Sequence, residues 1–531
     1  MKKILILILL PFMLILAQDD KSKNPNVELP DFVITGKDSV SIKRAEKIKP
    51  DFVSTITENF VKPVHSPEEL GLRQLSSPLK EDPKLLSSRK SSNGNISAGA
   101  GNSILPNAML SYRIPFDDGM LRTYIGGMNQ KAYVDNSDCY MIHGGAEIEY
   151  TTKITNEVLP GTQFLLGGNY SAYSYKLFAS DDPNQKRSKN EGNYSLGIKN
   201  TAGKVFIFDL QLNDHFTSLI EDNFTENNIQ MKGFTKLQVG DVGIGINANY
   251  QKQFLNTDSL SNIDFDYIFV RSYASFEILN SVLAKVGYSY SKSGNMEFGN
   301  VYASFGLKLS PNLVLLGEYT PFSEFVTPGI LLRNNDYFNT NGVTNLFYKK
   351  TNFIDVSVKY EYNQYYQVEA GLRYFKSANQ PYFISSDISG QFDLRTADVT
   401  NYNPYVNLLF HLGPYGFFYG SVDYYHVRDN NGNEIPYQPY LKGDMTYGYK
   451  LSEKLLSEIS LDFYSDRYTD TLNTEKLNAI LNLGFKVSYK LNDMFLLTLE
   501  LSNLLDRDIF LWEGYKEKPF DVLFGFNLMF D

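Results

Sequence analysis

The sequence predicts an all-β protein, a transmembrane antiparallel β-barrel of about 22 strands, on three observations. The first residues form an export leader, no later run is long and apolar enough for a membrane helix, and from residue 94 onward apolar and polar residues alternate over long stretches.

The leader comes first in the chain. Lys2 and Lys3 supply its charge, Ile4 to Leu16 its apolar run, and Ala17 a small residue at the expected cut. Pro11 breaks the run, polar Gln18-Asp19-Asp20 comes directly after it, and it falls short of the roughly 20 apolar residues that cross a bilayer as a helix. Residues 1–17 are therefore read as a signal peptide and not an anchor. The only cysteine is Cys139, which excludes lipidation at the cut and any intramolecular disulfide.

Residues 18–93 differ in composition from the rest of the chain. Pro25, Pro30, Pro50, Pro63, Pro67, Pro78 and Pro83 punctuate a stretch rich in Lys, Ser, Glu and Asp, which reads as a largely disordered periplasmic segment. One island, Leu29 to Ile42, is apolar enough to form a short strand.

The barrel is expected over residues 94–531. Ile354, Val356, Val358, Tyr360 and Tyr362 fall on one face of a strand, against Asp355, Ser357, Lys359 and Glu361 on the other. Val368, Ala370, Leu372 and Tyr374 alternate with Glu369, Gly371 and Arg373; Phe206 to Asn213 and Leu477 to Tyr489 behave alike. Stretches of about 11 to 13 residues exceed the ~5 to 6 of globular strands and suit a tilted membrane crossing. Periodicity alone leaves a soluble sandwich open. The leader, the strand length and the 38 Tyr and 37 Phe favour apolar faces toward lipid and charged faces toward a wet lumen. A mean hydropathy of -0.28 fits a sheet whose two faces average out. No repeat of fixed period marks a propeller or solenoid. A net charge of -10 argues against a nucleic-acid partner.

Asp117-Asp118-Gly119, Asn341-Gly342, Asn431-Gly432 and Asn492-Asp493 mark turns, and Ser180 to Asn193, Asn256 to Asp266, Pro321 to Asn345 and Ser377 to Asn401 read as long outer loops. Tyr170, Tyr173, Tyr175 and Tyr415, Phe417, Phe418, Tyr419 are expected in interfacial aromatic girdles. The final strand, Phe520 to Phe530, carries Phe520, Val522, Phe524, Phe526, Leu528 and Phe530 on one face. Such a closing strand is what barrel-assembly machinery reads, although here Asp531 comes after the last aromatic.

The last hundred residues resemble the C-terminal part of TonB-dependent outer-membrane receptors. The resemblance rests on Ile435-Pro436-Tyr437-Gln438-Pro439 before the Tyr-rich Met445 to Tyr449, on Asn503-Leu504-Leu505-Asp506-Arg507, on Trp512-Glu513-Gly514-Tyr515, and on the closing strand. It implies an outer-membrane location and a periplasmic partner, TonB or another protein, engaged through a short extended box. Phe32-Val33-Ile34-Thr35-Gly36, inside the N-terminal island, resembles that box, and an exposed extended peptide can add to the edge of a partner's sheet. The chain departs from the family between Gly36 and Asn95, where Pro-broken polar sequence stands in place of a globular plug. An empty barrel of this size would be a wide aqueous hole. The N-terminal segment, the long loops or a second protein must obstruct it.

Enzyme chemistry finds no foothold. His65, His143, His215, His411 and His426 lie in no nucleophile motif or helical metal-ligand spacing, and Asp429 to Glu434 fits a turn better than a calcium loop. No cofactor is expected. The lumen-facing charges Asp355, Lys359, Glu361, Glu369, Arg373, Asp423 and Lys486 either tune a pore or neutralise one another in the wall, with pairing the simpler expectation. The expected function is a transport-type barrel that binds or passes a solute with a periplasmic partner. The alternative is a barrel that scaffolds other envelope proteins without transport.

Overall fold

The computed structural model describes residues 93–531 apart from 154–158, 201–204, 259–262, 279–280, 342–345 and 363–365. The segment from 1 to 92, with the expected signal peptide and the Phe32–Gly36 box, lies outside the described residues.

Each strand pairs with the next in sequence, always antiparallel. The barrel strands are β1 (Gly94–Gly101), β2 (Ile104–Phe116), β3 (Gly119–Gln130), β4 (Cys139–Thr151), β5 (Gln163–Lys176), β6 (Lys186–Asn200), β7 (Phe206–Leu219), β8 (Phe224–Val239), β9 (Val242–Asn256), β10 (Ile263–Ile278) and β11 (Val282–Ser293). The second half comprises β12 (Met296–Ser310), β13 (Leu313–Tyr319, resuming at Phe322–Val326), β14 (Leu346–Tyr362), β15 (Tyr366–Ser385), β16 (Phe392–His411), β17 (Phe417–Tyr424, resuming at His426–Asp429), β18 (Leu441–Lys450), β19 (Leu455–Tyr464), β20 (Ile480–Lys490), β21 (Phe495–Ser502) and β22 (Asp521–Phe530). Both segments of β13 pair with β14, and both segments of β17 with β16, so each is one interrupted strand. Pro321, which has no N–H to donate, sits in the first interruption. β22 pairs back onto β1, with Gly94 opposite Phe530 and Ala98 opposite Phe526. The result is a closed barrel of 22 strands, which leaves no unpaired sheet edge.

The two faces are as the alternation predicts. Ile354, Val356, Val358, Tyr360 and Tyr362 are exposed on the outer surface, while Asp355, Ser357 and Lys359 are buried toward the lumen. Leu196, Leu210, Leu212, Val286, Phe524 and Phe526 are likewise exposed. A surface apolar on this scale is stable only against hydrocarbon.

Three local readings are corrected. Ser377 to Asn401 is mostly strand, since β15 runs to Ser385 and β16 starts at Phe392, and Ser180 to Asn193 is strand from Lys186. Hydrogen bonding continues past the apolar band, where the outer face no longer needs apolar residues, so the sequence there looks like loop. Leu477 is not the start of β20; it pairs with Arg467 in a separate small hairpin. The aromatic girdle holds for Tyr170 and Tyr415, which are exposed, but Tyr175 and Phe417 are buried. They share the lumen-facing parity of their strands, as do Tyr173 and Tyr419, because neighbouring aromatics in a strand point to opposite faces.

Candidate functional site

The two ends of the barrel differ. One end carries the start of β1, the end of β22 and short turns such as Asp117-Asp118 and Asn492 to Met494. At this end Gly416 adopts φ 90°, and a Cβ there would lie 1.9 Å from the Gly448 carbonyl oxygen, so only glycine fits between β16 and β17. The other end carries the long connections, and these fold over the mouth.

The segment between β13 and β14 turns inward. Pro328 opens a short helix, α1 (Pro328–Asn334), where its missing N–H costs nothing. Leu331 and Leu332 of α1 are buried with Phe338 against Leu219, Phe224 and Leu255, which stand at the mouth ends of β7, β8 and β9. Buried polar groups then fix the segment. Glu226 of β8 accepts the Gly329 N–H at 2.8 Å, supplying the first turn of the helix with the acceptor that Thr327 does not. Arg187 of β6 is fully buried; it ion-pairs with Asp222 and donates to the carbonyls of Asp336 at 3.1 Å and Phe338 at 2.9 Å, and to Gln391 at 3.2 Å. Lys189 pairs with Asp336 and reaches the Leu332 carbonyl at 3.4 Å.

Aromatic side chains join this segment to loops from far around the ring. Tyr337 stacks on Tyr515 at 3.4 Å between ring centroids, and Phe178 meets Tyr515 edge-on at 4.9 Å. Trp512 contacts Phe383, Phe392 and Tyr437 at 5.3, 5.1 and 4.9 Å. The hydroxyl of Tyr515 donates to the Gly390 carbonyl at 2.6 Å, that of Tyr133 to the Lys516 carbonyl at 3.0 Å, and the hydroxyl of Ser385 to Glu513 at 2.8 Å. Burial pushes the Tyr337 and Tyr515 hydroxyls above the ordinary phenol range; both stay protonated at neutral pH, as the donation from Tyr515 requires. Burial likewise raises the Glu517 carboxyl, with Lys518 opposing it. Loops from several sides of the barrel are thus drawn into one interlocked cover.

The predicted lumen charges are placed as expected and largely matched. Arg373 lies 3.3 Å from Asp355 and 3.7 Å from Asp423, with its guanidinium 3.9 Å from the Tyr405 ring. The Tyr405 hydroxyl lies 3.2 Å from carboxylate oxygens of both Asp355 and Glu369, which share its one proton. Lys359 sits opposite Glu369 in register. Among the described residues no group of three or more His, Cys, Asp or Glu is disposed to hold a metal ion.

The fold is similar to that of solved outer-membrane barrels. The siderophore receptor PiuA from Acinetobacter baumannii superposes with a TM-score of 0.64 over 83% of this chain and 82% of that chain, at 11% identity. The FrpB iron transporter from Neisseria meningitidis gives 0.65 over 83% and 82%, at 10% identity, and the copper transporter OprC gives 0.62 over 84% and 82%, at 12% identity. No family model matches the chain and no curated relative does. At such low identity the likeness is one of backbone architecture.

The sequence pointed to the wall and missed the cover. Arg187 and Lys189 fall in a stretch read as an outer loop, Glu226 looks like an ordinary polar residue, and Tyr337, Trp512 and Tyr515 look like ordinary loop aromatics. One signal was present: Pro328-Gly329-Ile330-Leu331-Leu332 is an apolar run inside a stretch read as a polar loop, and such a run needs a partner.

Proposed function

We propose that this protein is a gated transport-type barrel of the outer membrane, which admits a solute through its loop end and acts with a periplasmic partner. The observation that carries the reading is the combination of a 22-strand, polar-lined barrel with loops from several sides that interlock at one mouth. A structural wall needs no such lumen, and an open pore needs no such cover. The architectural likeness to proteins described as siderophore receptors and as iron and copper transporters supports the same reading. In this reading the loop end faces outward, the exposed apolar band meets the bilayer, and barrel-assembly machinery inserts the closing strand. The Phe32–Gly36 box engages TonB or a similar periplasmic protein by strand addition.

The experiment is solute uptake by cells carrying the full chain, beside cells carrying the chain without residues 29–42. Both proteins should reach the outer membrane and migrate faster unboiled than boiled. Loss of uptake in the deletion alone supports energised coupling through the box. Unchanged uptake removes the box from the mechanism, and absence of uptake by either removes transport. The loop-covered mouth also suits a non-transporting scaffold, and a partner that copurifies in the absence of any uptake would establish it.

A further inference from the structure

The lumen wall directly beneath α1 differs from the ion-paired wall around Arg373. Strand register aligns its inward side chains in rungs. The first rung runs Asn169, Asn193, His215, Asn228, Gln253 across β5 to β9. The next carries Asn213, Gln230 and Gln251, and the third Gln211, Lys232 and Asn249. On β10 the three rungs end at Phe265, Tyr267 and Phe269. Across β5 to β10 no carboxylate stands in these rungs; farther round, on β4, Glu147 and Glu149 continue the second and third and pair with Arg122, while Glu191 and Glu226 belong to the rung nearer the mouth.

Part of this field is satisfied internally, since Asn193 donates to Asn169 at 2.9 Å and also contacts His215. Other members are not. The side-chain oxygens of Asn228, Asn249 and Gln253 are buried without a hydrogen-bond partner, although Asn228 is only 5% exposed and Gln253 fully buried. Buried acceptors in that condition cost free energy unless a donor arrives. Two cations complete the field. Lys232 and Arg333 of α1 are exposed and near enough to His215 to act on it electrostatically, and neither forms an ion pair among the described residues. Arg333 feels Glu226 across the rung boundary, but no ion pair joins them.

We propose that this wall is a ligand-binding site for a hydroxyl-rich solute bearing acidic groups, an acidic oligosaccharide being the simplest example. Gln253 and Gln211 already donate, to Glu226 at 3.2 Å and to Asp209 at 3.1 Å, whereas the amides of Asn228, Gln230, Asn249 and Gln251 can each present a donor and an acceptor, the pattern a diol satisfies, and hydroxyl protons answer the unpartnered oxygens. Lys232 and Arg333, neither of them in an ion pair among the described residues, take the acidic groups. Phe265 and Phe269, which are half-buried, give the apolar faces of sugar rings a border, while Tyr267 is already stacked on Phe325. α1, anchored by Glu226 and Lys189, roofs the site and must move for a ligand to enter. This site rests on the transport function proposed for the same barrel and supplies its substrate class.

The test is equilibrium binding to the full-length protein in detergent, using short oligogalacturonates, oligomannuronates and hyaluronan fragments, each beside its neutral methyl ester. At least one acidic form should bind more tightly than its ester. Lys232→Ala and Arg333→Ala should each weaken the acidic form by roughly tenfold and leave the ester nearly unchanged, because each removes one charge-assisted contact. Asn228→Ala should weaken both forms. Heat-shifted migration of every variant controls for folding, since Lys232 and Arg333 are exposed. Equal binding of acid and ester, indifference of binding to Lys232 and Arg333, or no binding across the panel would each overturn the proposal. If the panel fails while solute uptake persists, only the substrate class is wrong; if uptake fails too, the transport reading falls with it.

Discussion

Replacing Arg187 by Met should open the mouth. The methionine keeps most of the buried volume but removes an ion pair with Asp222 and three further hydrogen bonds, to Asp336, Phe338 and Gln391. The Arg187 side chain is 0% exposed and that of Asp222 11%, so the variant leaves a carboxylate with little water, no counter-charge and only the Thr340 hydroxyl, at 3.2 Å, as a partner. Breaking a buried pair in this way costs about 3–5 kcal/mol. Nearly all of that cost falls on the closed arrangement, because an opened loop returns Asp222 to water. At about 1.4 kcal/mol per factor of ten, the closed-to-open ratio should fall by roughly two to three and a half powers of ten. The assay is conductance of purified protein in planar bilayers. The native chain should rest closed with rare openings, and the variant should conduct for much of the record. Asp222→Asn in the Arg187→Met background should restore part of the closure by removing the stranded charge. Identical conductance of native and variant, with both showing heat-shifted migration, would refute the assignment of the loops as the gate. Repeating the pair in a chain lacking residues 18–92 separates any contribution of the N-terminal segment.

The same geometry fixes three further outcomes. Val358→Lys, on the exposed apolar face, should cost about 2–4 kcal/mol of insertion and lower the fraction of heat-shifted protein in membranes, whereas Ser357→Thr one residue away on the lumen side should be nearly silent. Arg373→Met leaves Asp355 and Asp423 without their shared cation, and should cost about 1–3 kcal/mol, read as a lower temperature for loss of the heat-shifted form; an unchanged temperature would mean that the network adds nothing to the fold. The third concerns pH. Because burial raises the Glu517 carboxyl in the closed cover, the closed form binds a proton more readily than an opened one. Closure is therefore favoured fully below the ordinary glutamate range and loses that advantage as pH rises through the raised value. Conductance should increase with pH across that window, and Glu517→Gln should flatten the response.

What the sequence determined by itself is the wall. In a closed sheet every residue points either to lipid or to lumen, so period-two alternation in segments such as Ile354 to Tyr362 is a direct record of two solvents, and the length of the barrel segment divided by the span of one strand with its connection returns the strand number. Both readings depend only on near neighbours in the chain. Where the solvent on the two faces becomes the same, as at Tyr382 to Ser385 and Phe392 to Asn401, the record fades even though the ladder continues. The cover was decided by tertiary structure alone. Arg187 acquires its role from Asp222, Asp336, Phe338 and Gln391, which no local pattern links to it, and Tyr337 finds Tyr515 only because barrel closure brings their loops together. The amide field beneath α1 is of the same kind. Asn213, Gln230 and Gln251 are scattered polar residues in the chain, and become one surface through strand register, which is fixed by hydrogen bonding between strands and not within them.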